Sequence, residues 1–181
     1  MLQNGKATID NSFGSLSISI PSKKNWFALI FGTAWLGGWF FGFVMVSGMM
    51  LGGIGGHSAI NGFMLFWLIA WTAGGLMIIS LLLWGYFGQE KFLADSAEVS
   101  FDRTVFGIGW KKKLDPGYIK NFRVASLNTN WVFGNRWAFW GVGPGKIKFD
   151  YGFKTYSFGL AVDDAEANYI VEVMNGFFKK P

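Results

Sequence analysis

The sequence predicts a membrane α-helical hairpin of two transmembrane helices, followed by a mostly-β domain that a C-terminal helix caps. Three observations lead there. Every Lys, Arg, Asp and Glu lies at or before Lys24 or at or after Glu90, which leaves 65 consecutive residues without a formal charge. That tract holds two long apolar runs split by a short glycine-rich segment. Beyond it the composition turns abruptly to charged sequence in which apolar and polar residues alternate.

The first 25 residues are polar or strand-like, and Ser15–Pro21 alternates and offers an extra strand to a sheet before the chain enters the membrane. A cleaved signal peptide fits poorly, because these residues precede an apolar run that is too long and is followed by a second one. The runs Trp26–Met50 and Gly62–Phe87 hold no charge. As helices of about 25 residues they extend roughly 37 Å, enough to cross a hydrocarbon core of about 30 Å with some tilt. A helix apolar on all sides must be buried in protein or in lipid, and lipid accounts for two such runs more simply. The segment 51–61 between them is too short for anything but an antiparallel hairpin.

Orientation follows from the flanks. Lys23 and Lys24 abut the first run and Lys91 follows the second, while the connecting segment has neither Lys nor Arg. The positive-inside rule then puts both termini in the cytoplasm. Three segments result: a cytoplasmic N-terminal segment 1–25, a transmembrane hairpin 26–87 and a cytoplasmic domain 88–181.

Residues 98–103, 104–110 and 118–124 alternate and are bounded by turn residues, so each predicts a strand. Asp115-Pro116-Gly117 predicts a turn in which Pro presets φ and Gly takes a positive φ. Residues 146–151 place Ile147, Phe149 and Tyr151 on one face, and residues 155–160 complete a hairpin around Gly152. The period then changes. Asp163 stands three residues before Glu166 as in a capping box, and Ala167, Ile170, Val171, Met174, Phe177 and Phe178 form a helical stripe. Six or seven strands and then one helix suggest a bent antiparallel sheet or barrel whose open end the helix closes.

This arrangement resembles a bacterial membrane-anchored pleckstrin-homology-like (PH-like) domain protein. The resemblance covers roughly Gly88 to Phe178 and is carried by Gly88-Gln89-Glu90 leaving the membrane, by residues 118–124, and by residues 149–155 with Phe158-Gly159 before the helix. PH-like domains attached to transmembrane helices occur among assembly factors for bacterial photosynthetic complexes. The resemblance therefore implies a protein of the bacterial cytoplasmic membrane that serves a photosynthetic or other bioenergetic complex.

Several motifs bear on chemistry. Residues 141–146, GVGPGK, look like a phosphate loop. However, Trp140 stands where the Walker pattern needs Gly, Ile147 where it needs Ser or Thr, and a strand rather than a helix follows. The stretch is a turn that leaves Trp137 and Trp140 near its bend, as a candidate partner contact. His57, the sole histidine, lies in the interhelical segment without a Cys, Asp or Glu beside it. The chain has no cysteine, which removes thiol catalysis and iron–sulfur ligation.

The predicted helices contain no carboxylate, lysine or arginine of the kind that ion and proton pathways use. They carry small residues four apart instead: Gly38 and Gly42, Gly48 and Gly52, Ala70 and Gly74. Such spacing lets backbones approach closely, either within the hairpin or against another membrane protein. Trp26 and Trp84 suit an interfacial aromatic belt. Trp35, Trp39, Trp67 and Trp71 lie deeper and could face lipid, another subunit or a flat cofactor.

Lys111, Lys112 and Lys113 form a basic run that could attract anionic headgroups, each charge contributing on the order of 1 kcal/mol near the surface. Nucleic acid is a poor fit despite a pI near 9.5, since the part beyond Phe87 has thirteen basic against ten acidic residues and no recognition motif. No nucleophile with its base, no paired carboxylates and no metal constellation can be assembled. The expectation is a protein with neither enzymatic activity nor a cofactor, an adaptor or assembly subunit whose partners are membrane lipids and another integral membrane protein. The alternative is a membrane-surface module that senses anionic lipid headgroups through the three lysines.

Overall fold

The computed structural model describes residues 2–12, 14–50, 62–125 and 137–179. The chain divides into two compact units, one made of Met1–Asn25 with Trp84–Pro181 and the other of Trp26–Leu83. The first is a mostly-β unit with two antiparallel sheets and a C-terminal helix, and the second is a pair of long apolar helices.

In the β unit, β1 (Leu2–Asn4), β2 (Ala7–Ser12) and β3 (Ser15–Pro21) precede the helices, and β4 (Gly88–Ala94), β5 (Val99–Val105) and β6 (Ile108–Leu114) follow them. All six pair in chain order in one antiparallel sheet. The join is β3 against β4, in register from Leu16 opposite Ala94 to Pro21 opposite Gln89. The N-terminal 25 residues, expected as a separate segment with one candidate strand, thus supply half the strands of this sheet. Their signal was weak because β1 and β2 are short and polar; in β2 only Ala7 and Ile9 turn inward to the core.

The second sheet holds β7 (Ile119–Val124), β8 (Ile147–Tyr151) and β9 (Lys154–Phe158). Helix α3 (Asp164–Phe178) follows it, with the Asp163 side chain accepting the Glu166 N–H at 2.8 Å as N-cap. Alternation sets which residues enter the core: Leu16, Ile18 and Ile20 of β3, Phe92 of β4 and Phe101 of β5 meet Ile147, Phe149 and Phe158 of the second sheet and Ala167, Ile170 and Met174 of α3 in one cluster. Phe92 sits among the rings of Phe122, Phe149, Phe158 and Phe178 at centroid distances of 5.7–6.5 Å. Fully burying a side chain of this kind contributes about 1.5–3 kcal/mol.

Two buried carboxylates tie the layers. Glu90 Oε1 meets Arg103 at 3.0 Å and its Oε2 accepts the Gly159 N–H at 2.6 Å, linking β4 and β5 to the end of β9. Burial pushes this carboxyl above its usual range, while the Arg103 charge and backbone N–H groups pull it partway back. The Glu166 carboxylate, in the first turn of α3, reaches another element: its Oε1 accepts the Ala7 N–H at 2.6 Å. That bond pins the start of β2 to α3 across 159 residues.

Two turns differ from expectation. The strand expected over 104–110 is broken, because β5 runs on to Val105 and the chain reverses at Phe106 and Gly107, with φ of 52° and 80°. Two successive positive φ values define the two-residue hairpin turn that suits strand twist. At Asp115-Pro116-Gly117 a short 3₁₀ turn forms (Pro116–Tyr118), Asp115 accepts the Gly117 N–H, and Gly117 does not take the positive φ expected of it.

In the helical unit α1 covers Trp26–Met50; α2 covers Gly62–Phe87, its last turn belonging to the β unit. Both are long and apolar enough to cross a membrane, and only 11% of the most apolar stretch of each is buried within the protein.

Candidate functional site

The basic run does not form one patch. Lys111, Lys112 and Lys113 all lie within β6 rather than after it, and strand alternation sends Lys112 to the opposite face from its neighbours. Lys112 turns toward the core side, where its Nζ meets the Tyr156 hydroxyl and lies 4.6 Å from the centre of that ring. Lys113 pairs with Glu98 at 3.0 Å on the outer face. Lys111 is exposed on that face, opposite Asp102 of β5. The sequence showed three consecutive lysines; the strand splits them two and one.

The small residues of the helices divide in their contacts within the hairpin. A side-chain carbon placed on Gly38, Gly48 or Gly74 would meet nothing within 4 Å, so these three make no close backbone approach. Tryptophan is what crosses the gap. The Trp39 ring lies over Gly75, where a Cβ would overlap it, and the Trp71 ring reaches Gly42. Each indole also donates to the other helix, Trp39 Nε1 to Trp71 O at 3.1 Å and Trp71 Nε1 to Trp39 O at 3.4 Å. In an apolar environment a paired indole N–H avoids a cost of several kcal/mol.

Trp67 stacks on Trp71 with centroids 4.4 Å apart. Trp35, Trp39, Trp67 and Trp71, with Ala70 and Gly74, thereby line an apolar cleft of about 270 Å³. The four deep tryptophans of the sequence are brought to one place. Gly52 and His57 lie outside the described residues.

The GVGPGK stretch follows a short helical turn: Trp140 and Val142 N–H bond to Trp137 O, and Gly141 N–H to Ala138 O. Gly141 ends that turn at φ 75°, in the left-handed conformation that glycine takes most readily. It is also packed against the Lys23 carbonyl, where a Cβ would not fit, and its own carbonyl accepts Trp84 Nε1 at 2.9 Å. Trp137 and Phe139 are left exposed and Trp140 half-buried.

Two features carry little signal in the sequence. The tip of the β5–β6 hairpin exposes Phe106, Ile108 and Trp110, and Phe106 packs on Phe87 with ring centroids 4.6 Å apart. A bulky residue in the left-handed region costs about 1–2 kcal/mol, yet Phe106 occupies it with its ring largely in the open. The only sequence signal was Phe-Gly where Asn-Gly is usual in such a turn.

The second is an open depression of about 320 Å³ on the second sheet, lined by residues including Tyr118, Lys120, Arg123, Asp150 and Thr155. Asn121 takes φ 58° there, at an irregularity in the pairing of β7 with β8. Arg123 binds both Asp150 oxygens at 2.7 and 2.9 Å, and Thr155 and Asn121 also donate to that carboxylate. Arg123 and these donors hold the Asp150 carboxyl well below the usual range. The arrangement presents a closed ion pair, so its guanidinium is already committed.

No protein-family model matches this chain, and no curated protein is similar to it in sequence.

Proposed function

We propose that this chain is a two-pass protein of the bacterial cytoplasmic membrane that acts without catalysis, as an adaptor or assembly subunit of a larger membrane complex, a photosynthetic or other bioenergetic one by the resemblance. The β unit is PH-like in this reading. The resemblance covers Gly88 to Phe178, a stretch that holds β4–β9 and the C-terminal helix α3, and β1–β3 extend the first sheet beyond β4.

One observation carries the proposal most. The two apolar helices are inserted between β3 and β4, which are paired neighbours in one sheet. Ser22 N–H bonds to Gly88 O at 2.8 Å and Ser22 Oγ to Gly85 O at 3.1 Å, directly where the chain leaves for α1 and returns from α2. The two strands cannot pair unless both flanks lie on one side of the membrane that the helices cross. Lys23, Lys24 and Lys91 make that side the cytoplasm. In this reading the β unit binds its partner at the cytoplasmic face of the membrane. The helices, mostly unburied within the chain and carrying a tryptophan-lined cleft, offer a lateral surface to an integral partner.

The lipid-sensing alternative loses support from the splitting of the lysine run. Co-purification of the tagged full chain from native membranes in mild detergent, with mass spectrometry of what accompanies it, tests the proposal. A reproducible set of integral membrane proteins is the expected outcome. Recovery of a lone chain under several gentle conditions would overturn it.

A further inference from the structure

We propose that the β5–β6 hairpin and the turn at residues 137–141 form an apolar collar immersed in the interfacial layer of the bilayer, so that phospholipid is the ligand of both loops. The inference rests on the reading of α1 and α2 as membrane-spanning, and it adds a surface that this reading alone does not supply.

Both loops are fastened to one turn of one helix. Phe106, at the hairpin tip, packs on Phe87, and Gly141, at the end of the second loop, accepts the hydrogen bond of Trp84. Trp84 and Phe87 are three residues apart in the last turn of α2, so their side chains project to neighbouring directions. A helix of 26 residues extends about 39 Å. The hydrocarbon core is about 30 Å thick, so the final turn stands at the headgroup boundary and sets the depth of whatever is attached to it.

At that depth the two loops present side chains suited to the boundary. Phe106 is 70% exposed and Ile108 81%, and Trp110 of the same hairpin and Trp137 and Phe139 of the other loop are exposed as well. Tryptophan is enriched at membrane interfaces because its apolar ring and polar N–H match both sides of the boundary. Water is a poor environment for this set, and a large exposed apolar surface marks an interaction site. The left-handed conformation of Phe106 is a second, independent sign: strain kept at an exposed residue is expected where the side chain has a use outside the fold. The backbone of Lys23 beside Gly141 brings a cationic residue to the rim of the collar, as an anionic headgroup layer favours.

The absence of cysteine allows a direct test with unique labels. Single-cysteine variants of the full chain, Ile108→Cys and Phe139→Cys for the collar, Leu76→Cys for the middle of α2 and Phe153→Cys for an exposed hairpin elsewhere, are labelled with a polarity-sensitive fluorophore. They are reconstituted in phosphatidylcholine–phosphatidylglycerol vesicles containing lipid brominated high or low on the acyl chain. The collar predicts that labels at 108 and 139 shift to the blue and lose intensity with the high bromine positions, while the label at 153 stays aqueous. Aqueous labels at 108 and 139, together with a label at 76 quenched by the low bromine positions, would overturn the collar and leave the spanning helices intact. Blue-shifted but unquenched labels at 108 and 139 would overturn it too, in favour of a protein contact. An unquenched label at 76 would remove the spanning reading and the collar with it.

Discussion

In the β unit Phe92, Phe149 and Phe158 are sealed from the surroundings, whereas in the helix pair Phe40, Phe41, Phe63 and Phe66 are 60–73% exposed. The first unit removes its aromatic rings from water by itself, through two sheets and a helix that close on one cluster. The second joins its helices through two indole rings, two indole hydrogen bonds and the glycines beneath them, and leaves most of its apolar surface outward. The same residue type therefore measures different things in the two regions. A buried phenylalanine reports internal packing, and an exposed one reports the medium or partner that the helices need.

The largest test of this contrast is a matched pair of substitutions. Phe92→Ala opens a cavity in the β unit and is expected to cost about 3–5 kcal/mol. Phe66→Ala, on an outward face of α2, is expected to stay within about 0.5 kcal/mol. Denaturant unfolding in detergent, followed by near-ultraviolet circular dichroism, separates them; similar losses in both would erase the comparison.

Gly75→Leu probes the other side. It forces a side chain into the space of the Trp39 ring, and overpacking of this kind costs about 1–3 kcal/mol. The expected result is loss of the Trp39–Trp71 arrangement, seen as a change in tryptophan emission, with the thermal transition of the β unit unmoved. A β unit that melts earlier in this variant would show the two regions to be coupled.

Phe106→Asn should be stabilising. Asparagine suits the left-handed turn position, so the β unit is expected to gain about 0.5–1 kcal/mol in detergent. A loss of stability would mean that the contact with Phe87 outweighs the backbone strain.

The smallest effects concern pH. Asp150 has a lowered folded pKa, so its contribution is present above its ordinary value of 3.8 and is lost as the pH falls toward the lowered one. Glu90 has a raised folded pKa and behaves oppositely: its contribution is complete below its ordinary value of 4.5 and is lost as the pH rises through the raised one. Asp150→Asn should flatten the acid limb of a melting-temperature profile, and Glu90→Gln the decline on the other side. Unchanged limbs would show that neither group is linked to unfolding.

Much of the fold was legible because its signals are local. Period-2 alternation in residues 146–151, the helical stripe from Ala167 to Phe178 and the charge-free tract are each visible in a short window. The turn at Phe106 was missed because tertiary context overrode local preference, and a non-glycine, non-asparagine residue took a left-handed φ. The lysine run was legible as charge but not as geometry. Whether Lys112 faces inward depends on its register against Phe101, and a shift of one residue would exchange the faces.

By itself, the sequence determined that two uncharged helices of membrane length interrupt the chain and that a β-rich region ending in an amphipathic helix follows. Composition and periodicity suffice for that, since each depends only on near neighbours along the chain. Only the tertiary structure decided that residues 1–25 belong to the β unit, that Glu166 holds the start of β2, that tryptophan rings over Gly42 and Gly75 join the helices, and that two aromatic loops converge on the last turn of α2. Those are pairings between residues 32 to 159 positions apart in the sequence where hydrogen bonds make them, and such partners are selected by register and packing, which no local pattern records.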